Sequence, residues 1–340
     1  MFSQRCNGLS QWLSKKFPNQ PIELTALSGD AGLRNYFRFE INGQRLIAVD
    51  APQQFSNNYG FVAIQKALSN QNIQVPEIFY YDLEKGYFCI SDLGDELFAT
   101  TVNIENMAKQ YKKAIDTLIP LTKTEPDSDY LLPIYDAAFI EFELSIFTEW
   151  LLAQYLSIEL SQTELEQLKN IFKRLVSNAL EQPQVFMHRD YHSRNIMNVD
   201  NGLAVIDFQD AVKGPITYDI VSLLKDCYIR WPEDDINSLF KYFCERIEET
   251  YKLEDIDTKT WRRWFDLMGL QRHLKAAGIF ARLKLRDDKP NYIKDIPLTL
   301  SYVIDVCDNY PDLTFLSELV TNKVLPALEH VSNIKAEVAK

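Results

Sequence analysis

The sequence predicts an α+β chain of two lobes, a small β-rich N-lobe over residues 1–94 and a larger helical C-lobe over residues 95–340. Three observations carry that expectation. A length of 340 residues exceeds the roughly 100–200 residues that one compact core usually organises. The apolar pattern has the two-residue period of strands before Gly94 and three- and four-residue spacing after it. No internal repeat or low-complexity linker offers another place to divide the chain.

In the first part, IELTAL, NYFRFEI and QRLIAVD read as strands, and Asn42-Gly43 between the last two is a two-residue hairpin signal. That turn sets Glu40 opposite Arg45 and Asn35 opposite Asp50. A helix is expected over Gly60 to Leu68, then strands in IQVPEIFYYDLE and KGYFCISDL. Beyond Gly94, ENMAKQYKKAIDTLIPL, AAFIEFELSIFTEWLLAQYL, TELEQLKNIFKRLVSNAL, YDIVSLLKDCYI, DINSLFKYFCERIEETY and WRRWFDLMGLQRHLKAAGIFARLKLRD all read as helices. A strand-like block at 185–207 sits among them.

A net charge of -12 argues against a nucleic-acid or anionic-membrane surface. No apolar run approaches the roughly 18 residues of a membrane span, and the first residues lack a secretory apolar core, so a soluble, cytoplasmic monomer is expected. Cys6, Cys89, Cys227, Cys244 and Cys307 are scattered without metal-ligand spacing and read as reduced thiols.

Chemistry concentrates in VFMHRDYHSRNIMNVDNGLAVIDFQDA, residues 185–211. Two short apolar segments each deliver an Asp where backbone groups become free. Asn195 follows Asp190 with the spacing D-x-x-x-x-N, and Asp207 follows the second segment, an order that matches the phosphoryl-transfer signature of the kinase fold. Nucleotide phosphates need Mg²⁺, and Mg²⁺ needs hard oxygen ligands, which Asn195 and Asp207 supply. Asp190 is then the carboxylate that orients an acceptor hydroxyl and takes its proton. Each residue alone is an ordinary turn or capping residue; their joint order is what carries the reading. His188 reads as a structural hydrogen-bonding residue, and His192 as either a phosphate contact or loop packing.

Here the chain resembles the aminoglycoside phosphotransferase and choline kinase-like branch of the kinase fold. His192, DFQDA at 207–211 and GPITYDIVSLL carry the likeness, with Asp219 matching an Asp that braces the catalytic loop in that family. GDAGLRNYFR, AVDAP, ISDLGD, MHRDYHSRNIM and LQRHLKAAGIFARLKLRD narrow it to the bacterial kinases that phosphorylate the anomeric hydroxyl of N-acetylmuramate and N-acetylglucosamine. The resemblance implies ATP and Mg²⁺ as cofactors, an amino sugar as partner, and a sugar 1-phosphate for cell-wall recycling. It assigns Ser28 to Leu33 to the nucleotide-covering loop, with Gly29 and Gly32 admitting phosphate close to the backbone. Ala48 falls in the nucleotide site, Ile90, Asp92 and Leu93 in the adenine hinge, Asp190 as base, and Asn195 and Asp207 as Mg²⁺ ligands.

One position departs from the pattern. Where kinases carry Ala-x-Lys on the third strand, this chain has Ala48-Val49-Asp50, and the next segment has no acidic residue to pair with a lysine. Arg34 is therefore expected to be the replacement phosphate cation, positioned by Asp50, with Lys66 or Arg38 as substitutes; a simple surface Asp–Arg pair is the alternative.

For the acceptor, Ser222, Asp226 and Arg230 fall at four-residue spacing on the helix from Tyr218, either as a solvated pair or as contacts to sugar hydroxyls and a lactyl carboxylate. Gln271, Lys275 and Arg282 share a polar face of the helix over 261–286, either solvated or carboxylate-binding. His273 reads as a core histidine, and Glu143, Phe147 and Trp150 as a core stripe. Two other readings remain open: a kinase of an antibiotic, choline or another small alcohol, and a nucleotide-binding regulatory module.

Overall fold

The computed structural model describes residues 2–27, 34–54, 56–253 and 256–338, which form two compact units. The first takes Met1–Leu132 and His188–Ala211; the second takes Pro133–Met187 and Val212–Lys340. The change of period near Gly94 thus lies inside the first unit, which continues through two helices and takes back the segment that holds the acidic motifs.

Unit one is built on an antiparallel sheet of β1 (Thr25–Ala26), β2 (Asn35–Ile41), β3 (Gln44–Asp50), β4 (Ile78–Asp82) and β5 (Tyr87–Ser91), in the order β1-β2-β3-β5-β4. The β2–β3 register places Glu40 opposite Arg45 and Asn35 opposite Asp50, as the Asn-Gly turn requires. Asn42 and Gly43 both have positive φ, 53° and 78°, which suits the right-handed twist of the flanking strands. IELTAL contributes only the short β1.

Each sheet face has its own cover, and this decides where Asp50 points. α1 (Phe2–Lys16) lays Leu9, Trp12 and Leu13 on Phe37, Phe39, Ile41, Leu46, Ala48, Tyr87 and Cys89. Leu9, Trp12 and Leu13 stand three and four apart, so the helical signal is present in the sequence. Strand alternation then puts Tyr36, Arg38, Ile47, Val49, Phe88 and Ile90 on the opposite face. There α2 (Asn58–Asn70) packs Phe61 edge-on against Phe88, ring centroids 5.3 Å apart.

Asp50, two residues from Ala48, belongs to the α1 face. It is 3 % exposed and is held by Arg5, whose Nε donates to Oδ1 at 2.8 Å and to Oδ2 at 3.1 Å. Arg5 also donates to Lys85 O and lies over the Tyr87 ring, and the Asp50 carboxylate raises its pKa. The expected Arg34–Asp50 pairing is therefore replaced by Arg5–Asp50. Ala48 likewise sits fully buried under α1, on the face opposite Val49.

Unit one continues with α3 (Phe98–Thr101) and α4 (Met107–Leu121). In unit two, β6 (Gln184–Met187) pairs antiparallel with β9 (Val212–Pro215), while in unit one β7 (Ile196–Val199) and β8 (Gly202–Val205) form a hairpin. The rest of unit two is helical: α5 (Ala137–Ile146) passing into a π-helical stretch over Phe147–Tyr155, α6 (Gln162–Leu180), α7 (Tyr218–Leu224), α8 (Glu233–Tyr251), α9 (Thr258–Asp287) and α10 (Ile296–Cys307). α9 is buried nearly all round, as expected of a central helix. Gly278 makes its closest approach, where a Cβ would lie 2.5 Å from Ile146 O at the α-to-π junction. Among the described residues no helix is long and apolar enough to cross a membrane, and all five cysteines are unpaired.

Arg5→Ala should destabilise unit one by about 2–3 kcal/mol in urea titrations, because it strands a buried carboxylate, discounted for the partial exposure of Arg5. Adding Asp50→Asn should recover part of that loss; a variant as stable as the parent would remove the pair from the fold's foundations.

Candidate active site

The polar site of unit one is assembled from the ends of β7 and β8 and the loop that precedes them. His188 opens that loop, 1 % exposed. The Asp190 amide donates to His188 Nδ1 at 3.2 Å, which obliges Nε2 to carry the proton it gives to Ile206 O at 3.0 Å. Burial pulls the His188 pKa down to about 4, so the ring is a neutral tie between the two acidic loops rather than a base.

Arg189 and Asp207 both have positive φ, 74° and 64°. Left-handed backbone is uncommon for non-glycine residues, and here it falls beside Asp190 in one loop and at Asp207 itself in the other. Arg189 Nη1 donates to Asp210 O at 3.2 Å, a second tie between the loops. The Tyr191 hydroxyl anchors the loop to Ala114 O of α4 at 2.8 Å.

Asn195 is fixed by its amide nitrogen, which donates to the Asp190 carbonyl at 3.0 Å. Its Oδ1 makes no hydrogen bond among the described residues and remains available as an acceptor. The His192 ring lies beside it, Nε2 3.5 Å from Asn195 Nδ2, while His192 Nδ1 accepts from the Arg194 amide.

Asp207 opens onto solvent at its surface, yet its carboxyl is set among dense neighbours and its pKa is raised. Desolvation is the main cause, and the like charge of Asp190 adds to it; a hydrogen bond from Gln209 opposes both. Two negative groups in mutual repulsion, with a spare amide oxygen between their loops, fit a divalent cation. Among the described residues no cluster of three His, Cys, Asp or Glu could enclose a metal by itself. The donor set is instead the sparse oxygen set that Mg²⁺ completes with water and phosphate.

Arg34 reaches this centre from the strand side. Its Nη2 donates to Asn57 O at 3.1 Å, its Nη1 lies 3.4 Å from Gln209 Oε1, and its guanidinium stacks 4.7 Å above the Phe61 ring. Gln209 Nε2 donates to Asp207 Oδ1 at 2.7 Å, so one side chain joins Arg34 to Asp207. Burial raises the Tyr36 phenol pKa, with Arg34 opposing and Asp207 reinforcing, which sets that hydroxyl in the same group. Phe61 stacks on Phe208 at 5.2 Å and fixes α2 against the loop.

Other expected site residues fall elsewhere. Arg38 is occupied by Asp92 and Asp95, Nε to Asp92 Oδ2 at 2.7 Å and Nη2 to Asp95 Oδ1 at 2.8 Å, and Lys66 by Asp127 on the surface. Ile90 is buried within β5, while the Leu93 backbone makes no hydrogen bond among the described residues. Ser28, Gly29 and Gly32 lie outside the described residues. Asn57, Gln209, Tyr36 and Phe61 were missed by the sequence reading. Asn57 had a signal, as a helix-capping residue before an apolar run, and Gln209 lies within the DFQDA segment, though nothing there marked its side chain.

The proposed acceptor residues lie in unit two, and α7 corrects their arrangement. The helix ends at Leu224 with Lys225 as its cap, so Ser222, Asp226 and Arg230 do not share a helix face. Asp226 is fully buried and accepts from the Tyr228 amide at 3.1 Å. Arg230 lies 5.0 Å over the Tyr302 ring and is paired with Asp305. Gln271 and Lys275 are buried, not solvated; Lys275 Nζ meets Glu143 Oε1 and Tyr218 Oη, each at 3.0 Å. Arg282 makes no ion pair among the described residues, its Nε is unpartnered, and burial pulls its pKa down. His273 is a core residue bonded to Lys225 O, and Asp219 is buried in the first turn of α7.

Fold and site together define a phosphotransferase with the two-lobed protein-kinase-like fold. Residues 23–255 match the model of the phosphotransferase enzyme family, and the chain belongs to that family. It is 37 % identical over 302 residues to a Pseudomonas aeruginosa protein named N-acetylmuramate/N-acetylglucosamine kinase, covering 89 % of each chain. It also resembles the ADP-bound aminoglycoside phosphotransferase APH(2'')-Ib (TM-score 0.57, 16 % identity, 88 % of this chain and 98 % of that one). A third likeness is to choline kinase from Cryptosporidium parvum (TM-score 0.62, 13 % identity, 92 % and 98 %).

His188 gives the site an acid limit. Its folded pKa of about 4 lies below the roughly 6.5 of an exposed histidine, so between those values the unfolded chain binds a proton that the native chain refuses. Stability should therefore fall with decreasing pH across that window, by up to about 1.4 kcal/mol per unit for this one group. Denaturant titrations of His188→Asn should show that slope reduced; an unchanged slope would mean that His188 is protonated in the native state.

Proposed function

We propose that the chain is an ATP-dependent, Mg²⁺-requiring kinase that phosphorylates the anomeric hydroxyl of N-acetylmuramate or N-acetylglucosamine. The single observation that carries this reading is the grouping of Asp190, Asn195 Oδ1 and Asp207 in unit one, in a chain whose relative bears that sugar-kinase name. The ADP-bound structural neighbour supports nucleotide use.

Asp207 and Asn195 would hold Mg²⁺, which when bound would neutralise phosphate charge. Asp190 orients the acceptor hydroxyl and takes its proton as the new O–P bond forms and the bond to the β-phosphate oxygen breaks, releasing ADP. The loop ties from His188, Arg189 and Tyr191 keep Asp190 in place without reorganisation during the step. Adenine would meet the free backbone of Leu93, beside Ile90 and Asp92, with the loop of Ser28, Gly29 and Gly32 over the phosphates. Arg34 and His192 would supply the contacts to the phosphates.

For the acceptor, Asp226 is too deeply buried to meet sugar hydroxyls, and unit two offers three cations. Arg230 and Lys275 are already paired with Asp305 and Glu143, which favours Arg282 for the lactyl carboxylate of muramate. The product would be a sugar 1-phosphate, suited to returning wall sugars towards nucleotide sugars in the cytoplasm.

Incubation with Mg·ATP and a panel of amino sugars, aminoglycosides and choline, followed by phosphorus NMR, tests the reading. The expected product is an anomeric phosphate on an N-acetylated amino sugar, and Asp190→Asn should lower kcat by about a thousandfold with the nucleotide KM little changed. Phosphate on an aminoglycoside or choline would reassign the acceptor; no transfer to any alcohol would remove the kinase reading.

A further inference from the structure

In kinases a strand lysine paired with a helix glutamate links the helix beside the sheet to the phosphates, and this chain has neither residue. Asn57 occupies the corresponding junction by different means. Its Oδ1 accepts from the Gly60 amide at 2.9 Å and so caps the N-terminus of α2. Its Nδ2 donates to the Gln209 carbonyl at 2.9 Å and to the Tyr130 hydroxyl at 3.0 Å, and its own carbonyl accepts from Arg34. Gln209, 8 % exposed, passes the connection on to Asp207.

We propose that Asn57 is a positioning residue that replaces the lysine–glutamate link, latching the start of α2 to the acidic loop so that Arg34 and Asp207 face the nucleotide phosphates and their metal as one unit. The inference rests on the phosphotransferase reading above and adds the device that sets its geometry. Every bond of the latch is between neutral groups or to a backbone carbonyl, apart from the contacts of Arg34 and Asp207 themselves. The charge of Arg34 is therefore not spent on a carboxylate: its fixed partners are an amide oxygen, a carbonyl and the Phe61 ring. An arginine held in that way keeps its full attraction for an anion. Gly60 belongs to the same device, because a Cβ there would lie 2.3 Å from Asn57 Nδ2 and 2.6 Å from the Tyr130 hydroxyl.

Asn57→Ser separates the latch from the cap, since serine caps a helix about as well as asparagine yet is too short to reach Gln209. Calorimetric titration with the Mg²⁺ complex of a non-hydrolysable ATP analogue, alongside thermal melting, should show affinity lowered about tenfold in a protein that still melts in one cooperative transition. Nucleotide KM should rise in parallel while acceptor KM stays put, and the Asn57→Ser/Arg34→Ala double variant should bind no more weakly than Arg34→Ala alone. Gly60→Ala, whose Cβ would push the same Asn57 side-chain amide aside while the asparagine itself is kept, should reproduce the loss. Parental affinity in Asn57→Ser and Gly60→Ala, or losses that multiply in the double variant, would overturn the latch. Failure of the unmodified protein to bind the complex would overturn the nucleotide reading beneath it, and the latch with it.

Discussion

Two acidic loops flank one short hairpin, the Asp190 carboxylate close enough to disturb that of Asp207, and the surrounding structure serves to hold that unfavourable arrangement. Asp190 raises the proton affinity of Asp207, and both loops carry a residue in left-handed backbone. An isolated hairpin would relax by turning the groups apart. The neutral His188 bridge, the Arg189 contact to Asp210 O and the Tyr191 anchor on α4 prevent it. A cation placed between the loops would relieve that repulsion.

The two faces of the sheet separate charges that neighbour one another in the sequence. Asp50 stands where a phosphate-binding lysine was expected, but alternation sends it to the α1 face, where Arg5 neutralises it. Its negative charge is thereby removed from the opposite face, where Arg34, Tyr36 and Phe61 meet Gln209 and Asp207. Arg34, the residue just before β2, is held there by carbonyl and amide oxygens and, among the described residues, not by a carboxylate.

What was legible in the sequence follows the range of the interactions concerned. The β2–β3 register was readable because a two-residue turn fixes it locally, and the long helices because periodicity persists over many residues. Asp190, Asn195 and Asp207 were readable as an ordered motif. The partner of Asp50 was not, since Arg5 is 45 positions away on a short terminal helix. Nor was the end of α7 at Leu224, because the apolar spacing runs on after the backbone has left the helix. For Lys275 and Gln271 the sequence left a solvated face and a carboxylate-binding one open, because buried polar networks and solvated faces have the same period; only tertiary packing around Glu143 shows that they are buried.

The division of labour between the two carboxylates is the central claim, and Mn²⁺ provides a direct probe of it. Water-proton relaxation can follow Mn²⁺ binding, in the presence of ADP, to the parent, Asp190→Asn and Asp207→Asn proteins. Near-parental Mn²⁺ affinity in Asp190→Asn, together with a loss of at least about tenfold in Asp207→Asn, is the expected pattern. Equal losses in both variants, or none in Asp207→Asn, would contradict it.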